Sequence, residues 1–275
     1  MANIDYAVFP IAGMGTRFLP ITKSIPKEML NISSKPLIHY AVEEAKNAGI
    51  KNMIFITSPH NKITKNYFSR DPKLENLLKE KKNIAALKAM KEIVKNEKNI
   101  TYITQNKPKG LGAAILMTEK LLGGKDFAVI LPDDFILGKN CTNELINIYK
   151  RKSSNVLAIQ EVKRKNLSKY GIIDYHDKNI KSNIYKVKDL VEKPSPSKAP
   201  SNFGIIGRYI LKNSIFKYLK KIKPGKGGEL QLTDAIALSI NSNYIYAYKC
   251  SGKRYDCGSK KDFMKAQIAY ENYFK

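Results

Sequence analysis

Cysteine and histidine are both scarce, with three of each in the chain. Cys141, Cys250 and Cys257 form an odd, widely spaced set. Such a set suits unpaired thiols in a reducing cytosol better than a disulfide framework. No Cys-x-x-Cys pair or histidine cluster proposes a zinc site, and His39, His60 and His176 have no partner spacing. No run of about 18 apolar residues occurs, so no membrane-spanning helix is predicted. The opening Met-Ala-Asn-Ile-Asp-Tyr lacks the basic start and apolar stretch of a secretory signal. Together these absences predict a cytoplasmic protein.

Acidic residues are also few: 24 Asp plus Glu face 49 Lys plus Arg, a formal charge of +25. Such a field draws anions, whether nucleic acid, anionic membrane or phosphorylated small molecules. The excess, however, is spread from Lys23 to Lys275. No aromatic-rich basic stripe or helix-turn-helix pattern accompanies it, so neither nucleic acid nor membrane is the expected partner. With 43% apolar and 27% charged residues over 275 positions, disorder and low-complexity fibre are excluded. A chain this long buries about three quarters of the surface its unfolded form exposes, enough for a sizeable core.

Apolar runs predict strands over 6–12, 53–57, 101–104 and 127–131. Helical patterns separate them over 36–49, 61–95 and 111–122. This alternation predicts an α/β fold: a Rossmann-like, mostly parallel sheet with helices on both faces. The second half is more mixed, with strands expected over 156–162, 171–175, 184–191, 203–211 and 244–250, and helices over 229–240 and 259–273. The prolines of 193–200 read as a loop, not a linker, so a single domain over 1–275 is expected. In such sheets ligands sit beyond the carboxyl ends of the strands.

Three loops there can carry chemistry. Gly13-Met14-Gly15-Thr16-Arg17 follows the first strand, and its glycines let backbone amides approach a phosphate. Phe18 stands where a dinucleotide fingerprint needs glycine, and no Walker loop is present. Taken alone, a plain strand-to-helix turn explains this segment equally well. Lys23 and Lys27 follow in an extended, proline-bounded loop; with Arg17 they form a set of cations suited to a triphosphate. Asp133 and Asp134 end the fourth strand; metal binding outweighs a turn cap there, with Asp134 read as the structural one of the two.

The run from Ala12-Gly13-Met14-Gly15-Thr16-Arg17 through Pro26-Lys27-Glu28-Met29-Leu30 to Lys35-Pro36-Leu37-Ile38 resembles the signature of bacterial sugar-nucleotide pyrophosphorylases. Within that family it is most similar to the UTP–glucose-1-phosphate uridylyltransferases. Later runs agree in order: Gly110-Leu111-Gly112-Ala113-Ala114, Leu131-Pro132-Asp133-Asp134, Tyr170-Gly171-Ile172, Val191-Glu192-Lys193-Pro194, the stretch 228–236 and Tyr255-Asp256-Cys257-Gly258. Ala113 stands where the family usually has histidine, and Asn31 where it usually has proline. Thymidylyltransferases for the same sugar phosphate typically carry Lys-Gln at Lys27-Glu28 and lack an insert like 71–95. A catalytically silent, nucleotide-sugar-binding paralogue is the other alternative, and Ala113 leaves it open.

The resemblance implies a nucleotide-diphospho-sugar transferase fold, with a nucleotide-binding half over about 1–135 and a sugar-phosphate half over about 136–275. It implies magnesium-assisted attack of glucose 1-phosphate on the alpha phosphorus of UTP, giving UDP-glucose and pyrophosphate. Ala12, Gly13, Gly15 and Thr16 would hold the nucleotide, and Arg17 and Lys27 the developing phosphate charge. Gln105 and Gly110 would read the uracil and ribose. Gly171, Glu192 and Lys193 would take the sugar phosphate; outside the resemblance, Glu192 and Lys193 read as a surface ion pair. Asp133 and Asp256 would hold Mg2+. For Asp256 a turn aspartate before Gly258 is an equal alternative. Arg17, Lys27, Asp133 and Lys193 form the expected catalytic set. Glu229 and Asp234, at the start of a helix, could equally be first-turn acids complementing its dipole, and neither is counted among the metal ligands. The apolar positions of the closing helix suggest a homo-oligomer, dimer or tetramer, or packing on the chain's own core.

Overall fold

The computed structural model describes residues 3–59, 61–95, 97–176, 183–225 and 228–274. Strand β1 (Tyr6–Ile11) runs into three single 3-10 turns, Thr16–Phe18, Ile21–Lys23 and Lys27–Met29. The small ladder β2 (Asn31–Ile32) and β3 (Lys35–Pro36), helix α1 (Leu37–Asn47) and β4 (Asn52–Thr57) follow. Next come α2 (Lys62–Phe68), α3 (Pro72–Glu80), α4 (Ile84–Val94), β5 (Ile100–Thr104), α5 (Leu111–Leu116), α6 (Glu119–Leu122) and β6 (Phe127–Ile130). The remainder comprises β7 (Asp134–Leu137), α7 (Cys141–Lys152), β8 (Asn155–Glu161), β9 (Gly171–Tyr175), β10 (Ile184–Glu192), β11 (Phe203–Leu211), α8 (Ile215–Leu219), α9 (Leu232–Ser239), β12 (Ile245–Lys249), β13 (Lys253–Asp256) and α10 (Lys260–Tyr273).

Nine strands form one mixed sheet in the order β5-β4-β1-β6-β11-β8-β12-β10-β9. From β5 to β6 neighbours are parallel; β11 then pairs antiparallel with both β6 and β8. The far end curls, so that Ile172 of β9 also meets Gly204 of β11. One sheet thus runs through both halves of the chain. Alternation along β1 divides the core: Val8 joins the apolar cluster under α5, α8 and α9, whereas Ala7 and Phe9 join the one under α1 and α7. Among the described residues no helix is long and apolar enough to cross a membrane.

Several elements differ from the sequence reading. The stretch 61–95 is three helices because polar caps break it twice. Asp71 accepts the Leu74 N–H ahead of Pro72, and Asn83 accepts the Ala86 N–H after Lys82 turns at a φ of 54°. The stretch 111–122 is two helices; at the break the backbone tightens to i→i+3 bonds, Met117 N–H to Ala114 and Thr118 N–H to Ile115, and the Thr118 hydroxyl also donates to the Ile115 carbonyl. The helix expected from 229 starts at Leu232, because Leu230 bonds its backbone to Lys109 and Gly112. Glu229 is therefore not a first-turn acid, whereas Asp234 is. Helices α7 and α8 and strands β7 and β13 had no reading at all.

The cysteines also differ from expectation. Cys141 at the start of α7 and Cys250 just after β12 are joined in a disulfide, with only Cys257 free and buried. The pairing spans 109 residues, and folding alone makes them neighbours. Glu144 ties the same corner, accepting from Tyr248 and from the Ser251 N–H and hydroxyl.

Candidate active site

The glycine turn lies at the carboxyl end of β1, as the parallel order requires. Gly15 turns at a φ of 63°, and a Cβ there would press on Lys27 Cβ at 3.0 Å and Thr22 Cγ2 at 3.1 Å. The Thr22 hydroxyl donates to the Gly15 carbonyl, fastening the turn to the loop that follows. Lys27 passes beneath Gly13, with its Cε 3.6 Å from where a Cβ would stand. Its ammonium then reaches Asp133 Oδ2 at 2.5 Å.

Asp133 projects from the turn between β6 and β7. Burial pushes its carboxyl up, but the Lys27 ammonium outweighs this and holds it below the usual range. Reciprocally, Asp133 raises the lysine, so both groups stay charged. A Cβ built on Gly258 would lie 2.9 Å from Asp256 Oδ1, 3.5 Å from Arg17 Nη1 and 3.6 Å from Asp133 Oδ2. Arg17, Asp133 and Asp256 therefore surround one point, although 241 residues separate Arg17 from Gly258.

From this point a cavity of about 240 Å³ extends, lined by Asp133, Tyr170, Gly171, Glu192, Lys193 and Asp256 among others. Gly171 is open because a Cβ would strike Thr233 of α9 at 3.0 Å and crowd Glu192 Oε2 at 3.2 Å. Lys193 holds a φ of 45°, a left-handed backbone that costs a non-glycine residue roughly 1–2 kcal/mol. Its ammonium lies 3.2 Å from Glu192 Oε1, and its side chain is half exposed. Gln105 is buried at the tip of β5, its N–H donating to the Thr57 carbonyl. Gly110 has a φ of 92°, and a Cβ there would meet the Leu230 carbonyl at 2.6 Å. That loop is thereby clamped to the segment before α9. Ala12 is buried beneath the glycine turn, and Thr16 opens the first 3-10 turn, exposed.

The partners of three further groups were not read from the sequence. Asp134 is buried and tied to Arg254, whose Nε donates to Oδ1 at 2.7 Å, while Oδ2 accepts the Gly207 N–H at 2.6 Å. Burial raises its pKa, with Arg254 opposing. Both of its oxygens are thus occupied by the framework. Arg208 and Glu44 form a second buried pair behind the same turn. A lone arginine inside a run of apolar strand residues, Phe203–Leu211, is the signal that points to it. His39 pairs with Tyr67 and Glu43 away from these residues, and His60 lies outside the described residues.

Glu28, next to Lys27, is 1% exposed. Its Oε1 accepts from Asn61 at 2.5 Å, while Oε2 is buried without a partner. Burial pushes this carboxyl up to about 7 from an ordinary 4.5. Below pH 4.5 both folded and unfolded forms are protonated. Between 4.5 and 7 the unfolded chain ionises first, so the wild type loses stability as pH rises. Relative to the wild type, Glu28→Gln should therefore gain up to about 3 kcal/mol between pH 4.5 and pH 8. Denaturant midpoints of both proteins over this range test it; parallel curves would refute the assignment.

The profile of the nucleotidyl transferase family matches residues 8–273. The chain belongs to this family. A Pseudomonas aeruginosa nucleotidyl transferase named UTP–glucose-1-phosphate uridylyltransferase is 40% identical over 276 residues, covering 99% of this chain and 98% of the relative. A Staphylococcus haemolyticus protein of the same name is 42% identical over 271 residues, covering 98% and 93%. Among solved structures, a UDP-glucose pyrophosphorylase complexed with UDP-glucose superposes with a TM-score of 0.89 at 41% identity, covering 98% of this chain and all of the other. A UTP-bound enzyme from Acinetobacter baumannii gives 0.88 at 36% identity, covering 98% and 93%. The mixed α/β fold expected from the sequence is the fold of these structures.

Proposed function

We propose that this nucleotidyl transferase moves the uridylyl group of UTP to alpha-D-glucose 1-phosphate, releasing pyrophosphate and forming UDP-glucose. The observation that carries the reading is the meeting of Arg17, Lys27, Asp133 and Asp256 at one point, opening into the cavity of Glu192 and Lys193. The attacking phosphate oxygen is already anionic, so no general base is required. Positioning and charge neutralisation suffice. Gly13, Gly15 and Thr16 offer amides and a hydroxyl to the triphosphate beside Ala12. Lys27 and Arg17 neutralise the charge that builds on the alpha phosphate and pyrophosphate. Lys193 orients the sugar phosphate, and Glu192 accepts from sugar hydroxyls. Gln105 and Gly110 take the uracil and ribose.

The donor set also fits a magnesium ion. Asp133 and Asp256 supply hard carboxylate oxygens at one place, and among the described residues no cluster of three or more ligating side chains competes for it. A pair of carboxylates completed by phosphate oxygens and water is the usual way Mg2+ is held. When bound there, the ion would neutralise phosphate charge. The outward face of α10, with Met264, Ile268 and Tyr273 exposed and Phe274 exposed just after it, supports self-association into a dimer or tetramer.

The direct assay supplies UTP and dTTP at matched concentration with glucose 1-phosphate and measures pyrophosphate release. UTP should be the faster substrate, and release should exceed that of a Lys27→Ala control. A faster rate with dTTP would overturn the nucleotide assignment, and no release above the control would leave a silent binder.

A further inference from the structure

Tyr170 precedes β9 and reaches across the cavity toward β13. Its hydroxyl touches two groups: Arg254 Nη1 at 3.1 Å and Asp256 Oδ2 at 3.3 Å. Arginine has only donors, so the tyrosine oxygen must accept from it. The single hydroxyl hydrogen is thereby left for Asp256. Arg254 cannot swing away, because its side chain is 7% exposed, bonded to Asp134 and stacked over the Tyr170 ring at 5.2 Å. Asp134 in turn is fixed by the Gly207 N–H of β11. A chain of contacts therefore runs from the central sheet through Asp134, Arg254 and Tyr170 to Asp256.

Arg254 itself stays 3.8 Å from Asp256 Oδ2, beyond hydrogen-bond reach, so the tyrosine makes the direct contact. The other oxygen, Oδ1, accepts the Gly258 N–H at 3.0 Å and is the atom nearest the point shared with Asp133 and Arg17. At 3.3 Å the hydroxyl contact is longer than a tight hydroxyl–carboxylate bond. It sets the plane of the carboxylate without occupying all of its lone pairs.

We infer that Tyr170 is a positioning residue: its hydroxyl, aimed by Arg254, turns Asp256 so that its free lone pairs face a divalent cation shared with Asp133. This rests on the metal reading of the two aspartates given above. It assigns Arg254 and Asp134 a task of their own. They aim the tyrosine, and the ion pair keeps Asp134 from competing for the cation. Groups that orient metal ligands typically change affinity by about 10–100-fold when removed.

The test is Mn2+ alone, titrated into the substrate-free protein and followed by the electron paramagnetic resonance of the free ion. Tyr170→Phe keeps the ring and the stacking, removes one hydroxyl and changes no charge. It should weaken Mn2+ binding about tenfold with an unchanged thermal midpoint. Arg254→Lys, which keeps the charge but loses the fork, should weaken it in the same direction. In an Asp256→Asn background, Tyr170→Phe should have no further effect. Wild-type Mn2+ affinity in Tyr170→Phe, alongside weakened binding in Asp256→Asn, would overturn the positioning role alone. If Asp256→Asn itself binds Mn2+ like the wild type, the metal reading fails and the inference falls with it. Catalysis of uridylyl transfer is read separately and does not enter this comparison.

Discussion

Replacing Lys27 by alanine should lower kcat by about 10²–10³-fold, the usual cost of removing one preorganised donor from a site where charge develops. Lys27 lies 2.5 Å from Asp133 and is threaded beneath both glycines of the turn after β1. Its position before substrate arrives has a second consequence. The ammonium stands on the Asp133 oxygen that a divalent ion would use, so lysine and metal compete there. On the proposed reading, bound nucleotide would relieve the competition by offering Lys27 its phosphates. Lys27→Ala should therefore bind Mn2+ more tightly than the wild type in the absence of UTP, while turning over far more slowly in its presence. Steady-state kinetics and Mn2+ titration of the same preparation measure both. A kcat within tenfold of wild type would remove Lys27 from the chemistry, and weaker Mn2+ binding would refute the competition.

Arg208→Met should destabilise the fold by about 3–5 kcal/mol, the cost of orphaning a buried charge. Arg208 is 2% exposed and donates to Glu44 through Nε and Nη2, and to the carbonyls of Leu131, Asp134 and Gly207. Glu44 also accepts the Thr142 N–H and hydroxyl. Burial raises the Glu44 carboxyl, but Arg208 outweighs this and holds it below the usual range. Methionine fills much of the space yet leaves the carboxylate and the Leu131 and Asp134 carbonyls without their guanidinium. The double variant Arg208→Met with Glu44→Gln should recover part of the loss, because the uncompensated charge is gone. Urea unfolding of the two variants decides it. A loss under about 1 kcal/mol for the single variant would show that the pair contributes little. Because these carbonyls flank Asp133, the same cluster fixes the turn that presents it.

Much of this was legible in the linear chain. The alternation of apolar runs and amphipathic stretches placed β1, β4, β5 and β6, because parallel strands buried on both faces read as continuous apolar segments. The glycine turn, the following lysines and the aspartate after β6 stood out because they interrupt such segments at the ends where ligands bind. Other features were not legible. The charged stretch 61–95 read as one helix, since apolar periodicity reports a face and not a boundary. Its breaks depend on the Asp71 and Asn83 caps. Helix α7 was missed although Leu145, Ile146, Ile148 and Tyr149 mark its buried face. The disulfide was missed because 109 residues separate its cysteines, and sparse cysteines carry no spacing from which a pairing can be read.

Residue order alone determined the class of fold, the family, and the types of side chain available for phosphate chemistry, because each is written in local periodicity and contiguous motifs. The partner that each of two adjacent aspartates meets was decided only in three dimensions. Asp133 and Asp134 are neighbours in sequence, yet one meets Lys27 and the other is bound to Arg254 and Gly207. A turn sends adjacent side chains in different directions. Their charge and exposure then depend on partners more than seventy positions away, which no local pattern encodes.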